Sequence, residues 1–424
     1  MKRAVTRRQF LRLAGAASLA LTHTRPAAAA SLAFKPAAFD ATQDSVLIWA
    51  RGDGAARIRV DFGEEGASQL TAGPVADLTR DTDYSATIAL TQLAPGKAWS
   101  YRIMDAASGK PLSEPGRFKT SPSSAAPFTF AFSADMEDSY QPFKLIDVID
   151  SKQPDFLLLL GDLIYADHPK KSFVPSVAHY RTKHAANRRD RHLQNFLARY
   201  VTYATWDDHE TENNAHSLNP NMEKALQVYK EYWPCRAVDA NALYRQFSWA
   251  GVEFFVLDTR RFRSQQEMPE GPEKTMLGAA QKSWFKERLK SSKAPFKFVI
   301  TSVPFQGGGV DTWGSYRTER DEITKFMRGE KIAGVIFLTG DYHLARDWSN
   351  AKTGLREFMA GPIASFTHYK NNPDARARYE KAGTFHYGDG YNFGLWRVDP
   401  AAGKAKLEFI GAAGQTLFQT ELSA

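Results

Sequence analysis

The stretch from Phe156 to Asp167, FLLLLGDLIYAD, constrains this chain more than any other. Five apolar residues run without alternation before Gly161 and Asp162 end the run. A continuous apolar run closed by a turn signal reads as a strand buried on both faces. In open α/β sheets, ligands gather just beyond the carboxyl ends of such strands. Asp162 stands at that place, with Tyr165 and Asp167 close behind. Gly-Asp taken alone is equally compatible with a plain turn, so the meaning of this strand end depends on what the other strands carry.

The surrounding pattern predicts two kinds of structure. From residue 31 to 120, short stretches such as Ser45–Ala50, Ala56–Phe62, Tyr84–Leu90 and Trp99–Met104 are separated by Gly, Pro and Asp turn residues. That spacing suggests a small β-sandwich. The loop Leu93-Ala94-Pro95-Gly96, followed by Trp99-Ser100-Tyr101-Arg102, resembles a fibronectin type III-like module. Residues 121 to 127, SPSSAAP, have the composition of a linker. Beyond them, strands expected at Phe128–Phe132, Phe156–Leu160, Val201–Thr205, Phe254–Leu257, Phe296–Thr301 and Val335–Leu338 alternate with helices expected at Phe143–Ser151, Met222–Tyr232 and Ala279–Leu289. Alternation of this kind predicts a layered α/β domain over residues 128 to 424, closed by strands at Asn392–Val398 and Ala405–Ile410.

The formal charge of +8 suggests a polyanion-binding protein until its location is considered. Lys2, Arg3, Arg7, Arg8, Arg12 and Arg25 fall within the first 30 residues, which hold no acid; without those six charges the net charge is +2. A nearly neutral remainder carries no nucleic-acid-binding signature. The leader resembles a twin-arginine signal peptide: Thr6-Arg7-Arg8-Gln9-Phe10-Leu11-Arg12, a short apolar stretch, then Ala28-Ala29-Ala30 as a cleavage site. The implied partner during export is the twin-arginine translocase, and the implied location is periplasmic or secreted. No run approaches the ~18 apolar residues of a membrane span. The single cysteine, Cys235, lies beside Tyr232 and Trp233 and is expected to be a buried structural thiol.

Five strands end in polar residues suited to hard metal ions or their anionic ligands. Asp135, Glu137 and Asp138 follow the first. Asp162, Tyr165 and Asp167 follow the second, and Asp207, Asp208, His209, Glu210 and Asn214 the third. Asp258, Arg260 and Arg263 follow the fourth, and Asp341 and His343 the last. Burying so many carboxylates together is unfavourable unless cations neutralise them. Carboxylate, amide and imidazole donors suit Mn, Fe, Zn or Ca.

The ordered motifs Gly161-Asp162-Leu163-Ile164-Tyr165-Ala166-Asp167, Trp206-Asp207-Asp208-His209-Glu210 with Asn213-Asn214, Leu257-Asp258-Thr259-Arg260, and Gly340-Asp341-Tyr342-His343 resemble those of the alkaline phosphatase D (PhoD) family, within the calcineurin-like metallophosphoesterases. The likeness spans about residues 128 to 365. It implies a fold of two packed mixed sheets flanked by helices, preceded by the β-module. It implies two or more metal ions, with Asp162 bridging two of them. Tyr165 matches the tyrosine that binds ferric iron as phenolate in some members, Asp208 takes the place of an asparagine in the superfamily motif, and Asn214 matches a calcium-side ligand. Asp341 and His343 would close the site. His209 falls where the superfamily has a histidine near the leaving group, a structural histidine being the alternative.

Two departures from the family pattern stand out. Asp135 occupies the place where PhoD members usually have an iron-binding Cys, and a carboxylate is the harder ligand, so metal preference is expected to shift toward Mn or Ca. Ile300 to Pro304 contains no histidine, although the wider superfamily often has one there; PhoD members commonly lack it too.

The chemistry expected of such a site is hydrolysis of phosphate monoesters or diesters. Two cations ~3.5–4 Å apart can hold hydroxide at neutral pH and stabilise the attacking and leaving oxygens. His209 would serve the leaving group. Arg260 is the candidate for binding developing phosphoryl charge, with a salt bridge to a nearby carboxylate the equal alternative. Arg181 is a weaker candidate for substrate binding. The basic residues between 168 and 195 read as a solvated helical face, with a substrate-receiving mouth as the alternative. Two further alternatives are an enzyme acting on lipid or wall-polymer diesters, and a non-catalytic secreted metal-binding module.

Overall fold

The computed structural model describes residues 30–350, 353–382 and 384–424. The leader expected over residues 1–30, with Arg7 and Arg8, lies outside the described residues apart from Ala30. In chain order the first part holds β1 (Ala37–Phe39), β2 (Val46–Arg51), β3 (Ala56–Glu64), β4 (Thr71–Leu78), β5 (Ser85–Leu90), β6 (Ala98–Asp105) and β7 (Gly116–Lys119). Then come β8 (Phe128–Ser133), α1 (Leu145–Ser151), β9 (Phe156–Leu160), α2 (Val177–Arg188), α3 (Arg191–Leu197), β10 (Val201–Thr205), α4 (Met222–Tyr232), β11 (Arg245–Trp249), β12 (Val252–Val256), α5 (Gly278–Ser291), β13 (Lys297–Ile300) and α6 (Arg317–Gly329). The last part holds β14 (Val335–Thr339), β15 (Ala345–Asp347), β16 (Arg356–Met359), α7 (His368–Asn371), α8 (Pro373–Ala382), β17 (His386–Tyr387), β18 (Asn392–Asp399), β19 (Lys404–Gly411) and β20 (Thr416–Ser423).

The apolar run at Phe156–Leu160 forms β9, and all five of its residues are buried. It is central in the larger sheet, ordered β20-β19-β18-β8-β9-β10-β1-β2-β5. Strands β8, β9 and β10 run parallel, with Phe130 and Val201 both opposite Phe156. Their carboxyl ends therefore emerge side by side at one edge, about 4.8 Å apart per strand. The second mixed sheet is ordered β11-β12-β13-β14-β16-β15-β17. The two sheets meet through aromatic rings: Phe130 contacts Phe254 and Phe298 edge-on at 5.3 and 5.1 Å between centroids. Helices α1 to α4 cover the outer face of the first sheet, where Leu157 and Leu159 pack with Phe196, Leu226 and Tyr229. Phe285, Leu289 and Ile323 of α5 and α6 cover the second. This is the layered arrangement of two mixed sheets with helices outside.

The N-terminal β-module is present, and it shares a sheet with the rest of the molecule. Strands β4-β3-β6-β7 form one layer. The facing layer, β1, β2 and β5, joins the larger sheet where Phe39 pairs in parallel with Thr202 of β10. Ile48, Ile58, Val60, Ile88, Tyr101 and Phe118 fill the space between the layers. Ser121, at the start of the linker-like stretch, is fully buried and bonded to Thr42 and Ala250.

Helix α2 overturns the expectation of a solvated basic face. Lys183, His184, Asn187 and Arg188 are all buried. Asn187 donates to the carbonyls of Met136 and Leu163. Lys183 reaches Asp138 and the carbonyl of His168. Arg188 lies over Trp49 and Trp233, 4.7 and 4.0 Å from their ring centroids. These polar groups turn inward because loop carbonyls and aromatic faces need partners there, a demand made by distant segments. Cys235 is partly buried, and burial pushes its thiol up, which keeps it protonated and unreactive. Among the described residues no helix is long and apolar enough to cross a membrane.

Candidate metal centre

Each of the parallel strands β8, β9 and β10 delivers a carboxylate within two or three residues of its end: Asp135, Asp162, and the pair Asp207-Asp208. The turn after β9 can be made only by glycine. Gly161 has φ +105°, and a Cβ there would lie 2.6 Å from the Asp207 side chain. Gly361, φ +145°, is equally constrained: a Cβ would lie 2.4 Å from an oxygen of Asp135. Asp135, Asp162, Asn214, Asp341 and His343 all adopt positive φ, between 53° and 74°. Asp, Asn and His tolerate this region better than other residues, and strained backbone concentrates at sites where side chains must be aimed.

Donor atoms fall into groups that share members. Oxygens of Asp135 and Asp162 and a ring nitrogen of His343 lie within 4.8 Å of one another, and so do donors of Asp162, Asp208 and His209. Asp162 belongs to both. A third group joins Asp207, Asp311 and Asp341, and a fourth Asp167, His168 and His209. The sequence-predicted residues Asp135, Asp162, Asp208, His209 and His343 are thus brought together, and Asp341 falls in the separate third group, which Arg260 links to Asp208. Tyr165 joins them through its hydroxyl, 2.9 Å from His343 Nε2. Asn214 is adjacent through its backbone, whose N–H donates to Asp208 at 2.6 Å.

The donor chemistry fits bound cations. Both oxygens of Asp135, one of Asp207 and one of Asp341 are buried with no hydrogen-bond partner among the described residues. Burial, then the neighbouring acids, pushes the carboxyls of Asp135, Asp162 and Asp341 well above their usual range. Such groups would ionise readily only beside positive charge. His343 Nδ1 donates to the carbonyl of Phe366 at 2.6 Å, which leaves Nε2 with its lone pair toward the cluster. Burial pulls this imidazole down to about 3, so it is neutral, as a ligand must be.

His209 has a different electrostatic setting. Its Nδ1 meets Asp167 at 2.6 Å, and its ring stacks on Tyr165. Burial opposes its charge, but Asp208 and Asp167 outweigh that and raise it to about 9. Glu210 fastens the frame beneath. Its carboxylate accepts from the amides of Asp162, Leu163 and Asp207, at 3.1, 2.5 and 2.7 Å.

Two expectations are corrected. Arg181 is not in the cluster: its guanidinium is committed to Glu231, at 2.7 Å from both oxygens, and to the carbonyl of Asp81. Arg260 is at the cluster but is not free to take a phosphoryl group. Its Nε donates to Asp207 at 2.6 Å and its two Nη atoms to Asp311 at 2.9 and 2.5 Å, with no side-chain exposure beyond 1 %. The salt-bridge alternative holds for Arg260 because Asp311, brought in by the loop after β13, takes both ends of its fork. Asp258 is likewise structural, accepting from Trp206, Leu243, Arg260 and Arg261. Asp311 was not anticipated. It follows Gly307-Gly308-Gly309-Val310, and nothing local marks it as a partner of arginines some fifty residues earlier.

Two packed mixed sheets with candidate metal-binding side chains at the strand ends are the arrangement of the metallophosphoesterase-like fold class. The backbone superposes on a structure titled as that of PhoD with a TM-score of 0.79, at 22% identity, covering 93% of this chain and 89% of that one. It also superposes on a purple acid phosphatase from yellow lupin (Lupinus luteus) seeds with a TM-score of 0.64, at 13% identity, covering 92% and 74%. Residues 130–409 match the model of the PhoD-like phosphatase family, and residues 22–122 that of the PhoD-like phosphatase N-terminal domain. The chain belongs to the PhoD-like phosphatase family. Alkaline phosphatase D of Bacillus subtilis (strain 168) is 27% identical over an alignment of 345 residues that covers 67% of this chain and 58% of that protein.

Proposed function

We propose that this chain is an exported, metal-dependent phosphoric ester hydrolase acting on phosphate monoesters, diesters or both. The observation that carries the proposal is the double membership of Asp162: one carboxylate shared by two donor groups is what a dinuclear centre requires. Asp135 and His343 would hold one ion and Asp208 the other, with Tyr165 on the first side and Asn214 on the second. Asp207, Asp311 and Asp341 form a further donor group beside them. Metal ions bound there would supply an activated water and Lewis-acid stabilisation of phosphoryl oxygens.

The chain's own residues do the rest. Asp167 holds His209 in one orientation, and Asp208 and Asp167 together keep it protonated, so that His209 can give a proton to the departing alkoxide. Glu210 fixes the backbone of Asp162 and Asp207 and so the spacing of the ligands. Arg260 and Arg263 hold Asp311, and Arg260 also holds Asp207. Their role is to set carboxylate positions. A cleft of about 620 Å³ opens beside the centre, with Asp341 and His343 in its wall. That opening favours an enzyme over a closed structural metal site. Export by the twin-arginine route is supported by the Arg7-Arg8 leader.

The test is direct. The purified protein is analysed for bound metals and assayed on mono- and diester substrates before and after chelation. Turnover that disappears on chelation and returns with divalent cation is the expected result. Absence of turnover of every phosphate ester by metal-replete protein overturns the proposal.

A further inference from the structure

The cleft beside the metal centre holds a second basic feature that the reaction itself leaves unused. Arg346, on β15, is 5% exposed. Its guanidinium lies between two aromatic rings, 4.2 Å from the centroid of Trp348 and 4.0 Å from that of Tyr379. Nε and Nη1 are buried and have no hydrogen-bond partner among the described residues. No carboxylate among the described residues lies within the 4.0 Å of an ion pair with it. Glu357, the acid whose charge most affects it, gives its oxygens to the amides of Phe305 and Gln306 at 2.9 and 2.7 Å.

Three other deeply buried arginines have carboxylates: Arg245 has Asp40, Arg260 has Asp207 and Asp311, and Arg263 has Asp311. Arg188, which like Arg346 is held against rings without a carboxylate, donates to the carbonyl of Tyr232 and does not line the cleft. A buried guanidinium without an anion is costly, and aromatic faces offset only part of that cost. The rings cover the two faces of the plane and leave its edge donors, which is the geometry that takes an oxyanion. Arg378, exposed on α8, lines the same cleft and has no carboxylate partner among the described residues.

We propose that Arg346, assisted at the rim by Arg378, is a subsite for a second oxyanion carried by the same substrate molecule. The inference rests on the phosphoester-hydrolase reading and narrows it: the preferred substrates carry a further phosphate or carboxylate close to the scissile phosphate, as phosphodiester-linked chains and bisphosphates do. Asp341, His343 and Arg346 line one cleft. Three residues of extended chain separate His343 from Arg346, a span of at most about 11 Å. The second anion therefore belongs within one short linking unit of the reacting phosphorus.

The test compares glycerol 1,3-bisphosphate, glycerol 1-phosphate and 3-phosphoglycerate, by phosphate released from metal-loaded protein. The bisphosphate and the phosphoglycerate separate a phosphate requirement from a carboxylate one. The expected kcat/KM ratio of the better two-anion substrate to glycerol 1-phosphate is about tenfold to hundredfold, the worth of a hydrogen-bonded charge pair. Arg346→Met should collapse that ratio, mainly through KM. Arg378→Gln, at an exposed position where folding is not at risk, should lower it about two- to fivefold, as a solvent-screened contact would. A wild-type ratio near one, or a ratio unmoved by Arg346→Met, overturns the subsite while leaving the hydrolase reading in place. Equilibrium binding of propane-1,3-bisphosphonate and propylphosphonate supplies a readout without turnover. If no ester is hydrolysed but the bisphosphonate binds about tenfold more tightly and Arg346→Met abolishes the difference, the subsite stands and the hydrolase reading falls. Equal binding of both phosphonates to the wild type overturns the subsite.

Discussion

Asp207 and Asp311 sit against Arg260 and Arg263, whereas Asp135 and Asp162, a short distance away at the same strand ends, have no arginine or lysine within 4.0 Å among the described residues. The two halves of one buried acidic region are thus neutralised in different ways. In the first, burial opposes the charge of Asp311, but Arg260 and Arg263 outweigh it and hold the carboxyl down to about 2. In the second, burial and mutual repulsion push the carboxyls far up. The difference separates what the chain completes by itself from what it leaves for an outside cation. An arginine that completes a carboxylate pair is not available to a substrate, and this is why Arg260 proves structural. A carboxylate with bare buried oxygens is available to a metal.

Removing the shared ligand should break the contrast most severely. Asp162→Asn removes the negative charge and one of the two oxygens common to both donor groups. We expect loss of bound metal by elemental analysis and loss of hydrolytic turnover to background, with the thermal midpoint of the metal-free protein unchanged or raised, because one repelling carboxylate is gone. Metal content equal to wild type would remove Asp162 from the centre.

The self-completed half should fail in the opposite manner. Arg260→Met leaves Asp207 without its guanidinium and Asp311 with Arg263 and the amide of Gln266. Breaking a buried pair by deleting one partner costs about 3–5 kcal/mol, so denaturant unfolding should show that loss even in metal-free protein. The double variant with Asp207→Asn should recover part of it.

Asp311 should titrate in the opposite sense to the unpaired carboxyls; Asp207, although paired with Arg260, is still raised by burial and titrates with them. A carboxyl raised in the folded state keeps its proton longer there than in the unfolded chain, so its ionisation weakens folding as pH rises above about 4. Asp135, Asp162 and Asp341 are of this kind. In chelator, the thermal midpoint should therefore fall by several degrees between pH 5 and 8, and divalent cation should flatten the slope. Asp311 is depressed; its contribution is present above about pH 4 and is lost as pH falls toward about 2. A metal-free protein whose stability rises with pH through this range would contradict the division into two halves.

The same contrast explains what the sequence revealed. The uncompensated half was legible because its ligands sit within a few residues of strands whose apolar runs are plain, as Asp162 follows Phe156–Leu160. Strand parallelism then places Asp135, Asp162 and Asp208 together without further information. The compensated half was not legible. Asp311 comes from a loop with no periodic signal, and Arg260 resembles a substrate ligand as much as a salt-bridge partner until Asp311 is located. Helix α2 misled for a related reason. Its Lys, His, Asn and Arg follow the composition of a surface helix, while their partners, Met136, Asp138, Leu163 and Trp233, belong to other segments. The β-module was legible as alternating strands; its junction with β10 rests on one pairing, Phe39 with Thr202, which no local pattern announces.

Asp167 tests the boundary of the metal-binding half. Its oxygens are taken by His209 and by the backbone N–H of Asn213, so Asp167→Asn should leave metal content near wild type and reduce turnover about tenfold to hundredfold, as loss of a ligand-orienting partner does. The pH profile distinguishes this from simple disruption. His209 must be protonated to serve the leaving group, and Asp208 and Asp167 raise it to about 9 against the opposing effect of burial. Without Asp167 the alkaline limb of kcat should move to lower pH. An unshifted limb with reduced kcat would assign Asp167 a merely structural role.

The smallest effect is expected where charges face water, and it calibrates the rest. Glu322 on α6 accepts from Lys282 and Lys286 of α5 at 2.8 and 3.0 Å, distances as short as those around Arg260. Its side chain is 41% exposed, against 1% for Arg260. If distance alone set the worth of an ion pair, Glu322→Gln would resemble Arg260→Met. Exposed pairs contribute about 0–1 kcal/mol because water already stabilises each charge, and salt screens what remains over about 8 Å at physiological ionic strength. Glu322→Gln should therefore lower the unfolding free energy by less than about 1 kcal/mol, and the loss should shrink further in 1 M NaCl. Arg260→Met should show much less salt dependence, since Asp207 is fully buried and Asp311 largely so. A salt-insensitive loss above about 2 kcal/mol at Glu322 would mean that burial is not what separates these clusters.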